Sequence, residues 1–123
     1  MSLVKANSVA KNDGTQETSL IEGLVKAWVN YNNGTGSVRD SFGVASITDN
    51  GAGDDTVNYS TAFANAGASV QVTGSNGSSG GYIGLIRDAS TLPTASLVRI
   101  GTATTSAATE AAYANVTAHG DLA

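Results

Sequence analysis

An all-β chain is predicted, an antiparallel β-sandwich or small jelly roll of about seven strands behind a polar N-terminal arm. Three observations predict it. Short runs of β-favouring residues recur at close spacing, clusters of Gly, Asn, Asp and Ser separate them, and the whole chain holds one proline.

Residues 1–22 are polar, carry Asn12-Asp13-Gly14 and show no sustained period of two or of 3.6, so they read as an arm or attachment segment ahead of a β-domain at 23–123. Within the arm, Thr18-Ser19-Leu20-Ile21-Glu22 has the length of a helical turn at most.

The expected strands are Leu24–Tyr31, Val38–Thr48 (bent), Thr56–Ser60, Ala68–Thr73, Tyr82–Asp88, Ser96–Gly101 and Tyr113–His119. Alternation assigns their faces: Val25, Ala27, Val29 and Tyr31 fall together, as do Val57 with Tyr59 and Val70 with Val72. In the second strand Val38, Phe42 and Val44 are out of step with Ile47. One extra residue near Ala45 or Ser46, a β-bulge, would restore the phase.

Asn32–Gly36, Asp49–Asp54 and Gly74–Gly81 supply residues that tolerate positive φ and read as hairpin loops. The Ala- and Thr-rich stretch 103–114 is open between a short helix and a loop. No internal repeat or heptad pattern appears.

Composition narrows the function classes. Leu, Ile, Val and Phe together number 25 against 19 alanines, a thin supply of large core side chains for 123 residues. Charged residues are only 13% and the net charge is −4, so the chain should fold rather than stay disordered. Association with further copies of itself is the simplest way to bury more apolar area. The six Lys and Arg are scattered, which argues against nucleic-acid binding. No cysteine is present, and no apolar run approaches the length of a membrane span or a secretory signal.

Lys26-Ala27-Trp28-Val29-Asn30-Tyr31, then Arg39-Asp40-Ser41-Phe42, then Ile47-Thr48-Asp49-Asn50-Gly51 and Ala64-Asn65-Ala66, in that order, resemble a module of phage tail-fibre proteins. The likeness covers about a third of the chain and departs from the module at Gly43, where Asn is usual, and in the alanine-rich 62–68. The resemblance implies a β-structured, commonly trimeric surface module of a virion, non-enzymatic and without cofactor. A chain of 123 residues leaves no room for an attachment domain and a shaft, so a short fibre or capsid decoration is the expectation. Its partners would be its own copies and, through residues 1–22, other phage structural proteins. An adhesive alternative is a fibre tip contacting host-surface glycan through the loops at 32–36 and 74–81.

Trp28, Phe42, Val44, Val57 and Tyr59 are the candidates for core or subunit packing, and Tyr82, Asn76 and Asn33 for receptor contact. Adjacent Arg39 and Asp40 should point to opposite faces of a strand, one of them inward. The carboxylates of Asp49–Asp55 lack calcium-loop spacing and read as turn residues, so no metal is expected. His119 is the one histidine, no Gly-x-Ser-x-Gly elbow accompanies it, and it reads as a solvated side chain.

Overall fold

Alternation at period two governs the architecture, as it must where each strand has one face in a core and one in water. The computed structural model describes residues 6, 8–9, 18–19, 23–76, 81–87 and 93–123. Most of the arm therefore lies outside the described residues. Within it Ser8–Val9 (β1) pairs antiparallel with Thr18–Ser19 (β2), so these two residues are strand rather than the start of a helical turn.

Eight further strands follow: β3 (Val25–Asn32), β4 (Ser37–Phe42), β5 (Val44–Gly51), β6 (Asp54–Tyr59), β7 (Ser69–Ser75), β8 (Ile83–Ile86), β9 (Leu97–Ala103) and β10 (Tyr113–His119). They form two four-stranded antiparallel sheets, in the orders β4-β3-β10-β7 and β5-β6-β9-β8. The chain is all-β. The stretch after β9 is irregular, closed by a bridge between Ala103 and Ala108, so the helical option there is not taken.

The core is one cluster fed from both sheets. Ala27, Val29 and Tyr31 of β3 and Ala114, Val116 and Ala118 of β10 meet Val57 and Tyr59 of β6 and Val98 and Ile100 of β9, with Phe63 at one end. Val44, Ile47, Val70 and Val72 pack against its margin. Val57 and Tyr59 are thus inside this cluster and Val44 lies against it. Seven of these eleven core members are Ala or Val, which is how so few large side chains suffice.

The bent strand expected over 38–48 is two strands in two different sheets. Gly43 lies between them at φ +68°, and a β-carbon there would fall 2.3 Å from the Lys26 carbonyl oxygen, so the chain turns the corner on a residue without one. The bulge expected near Ala45 is present as a register shift between Val44 and Ser46 opposite β6. A second bulge, at Arg39 of the edge strand β4, changes the phase of that strand. Phe42 then sits opposite outward-facing Trp28 and is 60% exposed, not in the core of its own chain. Trp28 is itself half-buried on the outer face, because it alternates with inward Ala27 and Val29. The same bulge leaves both Arg39 and Asp40 exposed, so neither is the inward charge.

The loops at 32–37 and 51–54 are hairpins. Gly74–Gly81 is not: it joins β7 of one sheet to β8 of the other. The two sheets meet closely there, since a β-carbon on Gly84 would lie 2.4 Å from the Val72 carbonyl oxygen.

Candidate functional site

Three places concentrate polar chemistry. The first is the outward face of the β4-β3-β10-β7 sheet. Register places Phe42, Trp28, Thr117 and Gln71 in one row across the four strands, and Asp40, Asn30, Asn115 and Thr73 in the next. Side chains in such rows are neighbours, about 4.5 to 5.5 Å apart at Cβ. Asn30 Nδ2 donates to Asn115 Oδ1 at 2.5 Å, Thr117 Oγ1 donates to Gln71 Oε1 at 3.1 Å, and Gln71 Nε2 donates to Ser69 Oγ at 2.9 Å. Arg39 closes one end: its guanidinium donates to Asn30 Oδ1 and to the Ala112 carbonyl oxygen, and lies 4.3 Å over the Tyr113 ring.

The second is a buried polar hub at the end of the sheets that carries the 32–37 and 51–54 hairpins. Asp55 has the inward parity of Val57 and Tyr59 and is fully enclosed. Its Oδ2 accepts from the Tyr31 hydroxyl at 2.7 Å and from the Asn33 amide. Asn33 Oδ1 in turn accepts from the Ala111 N–H at 3.1 Å. Thr102 Oγ1 lies 2.7 Å from both Asn33 Oδ1 and the Thr109 carbonyl oxygen, and its single proton serves one at a time. The hub thereby ties together β3, β6, β9 and the 103–112 loop. Asn33 is thus a buried structural residue and not a receptor contact, because its amide is consumed where three segments of chain converge. Asn76, within the 74–81 connection, is exposed, and Tyr82, just after it, is half-buried.

Burial sets the electrostatics of the hub. Asp55 Oδ1 and Glu110 Oε2 are enclosed with no hydrogen-bond partner among the described residues. Desolvation pushes both carboxyls above their ordinary range. The Tyr31 phenol is driven far upward by its own burial and by the Asp55 carboxylate. Burial alone pushes Tyr59 up to about 12. Asp54, on the opposite face of β6, behaves the other way. Arg99 grips it bidentately at 2.7 and 2.6 Å, Arg87 approaches to 3.5 Å, and its carboxyl is held below the usual range.

These shifts predict a stability maximum in mild acid. A carboxyl whose folded pKa is raised destabilises the fold when it is ionised. Stability from Asp55 and Glu110 therefore increases as pH falls from neutral toward the unfolded value near 4. Asp54 is depressed, so its contribution is present above that value and is lost as pH falls further. The melting temperature should rise between pH 7 and about 4 and drop below it. Asp55→Asn should flatten the rise and Asp54→Asn the fall.

The third place is a cavity of about 280 Å³ lined by Phe63, Asn65, Ser69, His119 and Asp121 among others. His119 is half-buried here rather than fully solvated. Ser69 and Asp121 share the cavity with it, and no hydrogen bond or ion pair joins the three among the described residues. Among the described residues no group of three or more His, Cys, Asp or Glu is arranged to hold a metal ion.

Comparison of the chain with protein-family models, with curated proteins and with solved structures finds no match.

Proposed function

We propose that this chain is a structural, non-enzymatic module of a bacteriophage particle, a short fibre or capsid decoration exposed on the virion. In this reading the two sheets form a β-sandwich, copies associate as a homo-oligomer, a trimer by the tail-fibre resemblance, and residues 1–22 attach it to other particle proteins.

The observation that carries the reading is an apolar cleft where the arm enters the β-domain. Leu24, Val25, Phe42 and Leu122 are 52%, 37%, 60% and 42% exposed and, with Lys26, Gly43, Ser60 and Thr61, line a cleft of about 490 Å³. Exposed apolar side chains gathered in one place mark an interaction surface. In a chain with so small a core they are the surface that a neighbouring copy, or the particle, would cover. Among the described residues no helix is long and apolar enough to cross a membrane, and the proposal needs none. Antibodies raised against the purified chain should label intact particles. Receptor binding is the second reading, and the outward face of the first sheet favours it.

A further inference from the structure

The β4-β3-β10-β7 sheet turns a distinctive set of side chains to solvent. Alternation and register give Trp28, Asn30 and Asn32 on β3, Tyr113, Asn115, Thr117 and His119 on β10, Ser69, Gln71, Thr73 and Ser75 on β7, and Asp40 on β4, with Lys26 and Phe42 at the margin shared with the apolar cleft. Aromatic rings, amides and hydroxyls dominate. At one end a register shift brings the exposed Val25 opposite His119, whereas the outward face of the other sheet includes Leu85 and Leu97.

We infer that this face is a binding platform for an uncharged glycan, with Trp28 as the stacking ring, Tyr113 under the Arg39 guanidinium as a second contact, and Asn30, Asn115 and Gln71 as hydrogen-bonding groups. The inference rests on the adhesive reading and relocates its site from the loops to the sheet.

Four features support a sugar over a second copy of the chain. First, a buried subunit face is enriched in apolar side chains, and burying these amides and hydroxyls would leave each in need of a partner. A glycan brings hydroxyls that supply both donors and acceptors. Second, the polar groups are already held in place. The Asn30–Asn115 bond, the Thr117–Gln71–Ser69 chain and the two Arg39 contacts fix their geometry, which lowers the ordering cost of binding. With its Oδ1 engaged by Asn30, Asn115 presents its amide N–H groups to a ligand.

Third, the rings are spaced for a chain of sugars. Tyr113 lies beside the Asn32 end of β3, about four residues from Trp28, or roughly 13 Å along the strand. The Asn30 and Asn115 amides lie between them. Fourth, Arg39 is occupied. Its guanidinium donates to Asn30 and to the Ala112 carbonyl and lies over the Tyr113 ring, so gripping an acidic sugar would compete with contacts it already makes.

The test is a glycan array of neutral and acidic oligosaccharides probed with the intact chain, followed by titration of the best ligand into the parent, Trp28→Ala and Asn115→Ala proteins. The expected result is binding of neutral glycans, weakened at least tenfold by each substitution, with the particle mass in sedimentation unchanged. Melting curves accompany each variant, and Asn115→Asp serves if Trp28→Ala fails to fold. Two results would overturn the inference: absence of glycan binding by the folded parent, or binding that survives in a folded Trp28→Ala and Asn115→Ala. A drop in assembly mass on Trp28→Ala would also overturn it, by showing that a second copy covers the face. Chain found on particles but silent on the array removes the glycan platform and leaves the structural reading intact.

Discussion

Tyr31→Ala should cost about 4 to 6 kcal/mol and leave little or no folded protein at 37 °C, the sum of a large core cavity and a lost buried hydrogen bond. Tyr31 is the largest fully buried side chain. Truncating a buried aromatic ring to alanine costs about 3 to 5 kcal/mol, and its hydroxyl is one of two donors to the enclosed Asp55 carboxylate. Against a typical total stability of about 5 to 15 kcal/mol, that is between about a third and the whole of the available margin. Tyr31→Phe separates the two contributions: it keeps the ring, leaves Asp55 one donor short, and should cost about 1 to 3 kcal/mol. Chemical denaturation of the three proteins checks this. A Tyr31→Phe protein as unstable as Tyr31→Ala would mean that the hub, not the cavity, dominates.

Gly53→Ala should be nearly as damaging, although it adds a single methyl group. Gly53 sits at φ +63°, where a residue with a β-carbon pays roughly 1 to 2 kcal/mol. The added carbon would also fall 2.3 Å from the Thr102 carbonyl oxygen and 2.6 Å from the Thr109 nitrogen, both backbone atoms in the wall of the hub. Relieving that clash must break the 3.1 Å bond from Thr102 N–H to the Gly53 carbonyl and open the pocket around Asp55. Gly51→Ala is the control. Gly51 also has positive φ, at +125°, but open space where its β-carbon would go, so it should suffer only the backbone strain. Thermal melts should place Gly53→Ala well below Gly51→Ala.

Much of the fold was legible in the sequence because alternation is a local signal. The strand Tyr113–His119 has the bounds its alternation predicts, and the bulge expected near Ala45 or Ser46 follows from the phase difference between Val44 and Ile47. What escaped were features that depend on partners distant in the chain. Phe42 went to the wrong side because the bulge at Arg39 exists only in the pairing of β4 with β3. Trp28 is among the packing candidates by its place in a strand, and its alternation with inward Val29 puts it on the outer face.

Asp55 is the instructive miss. Extending the inward set Tyr59, Val57 back by two residues lands on Asp55, and an acidic residue at a core position predicts buried donors nearby. Asn33 was hidden for the same reason: nothing near it in sequence announces the Asp55, Thr102 and Ala111 groups that enclose it. The change of sheet at Gly43 was disguised because the β pattern continues through it and only the backbone direction changes.

The most direct test of the central claim is cryo-electron microscopy of intact phage particles from the source that encodes the chain, with antibody against the purified protein as a marker. The account predicts surface density that accommodates the two four-stranded sheets, in symmetric clusters of copies, with the Leu24, Phe42 and Leu122 end turned toward neighbouring copies or the particle. Purified particles that lack both the chain and the label would contradict it.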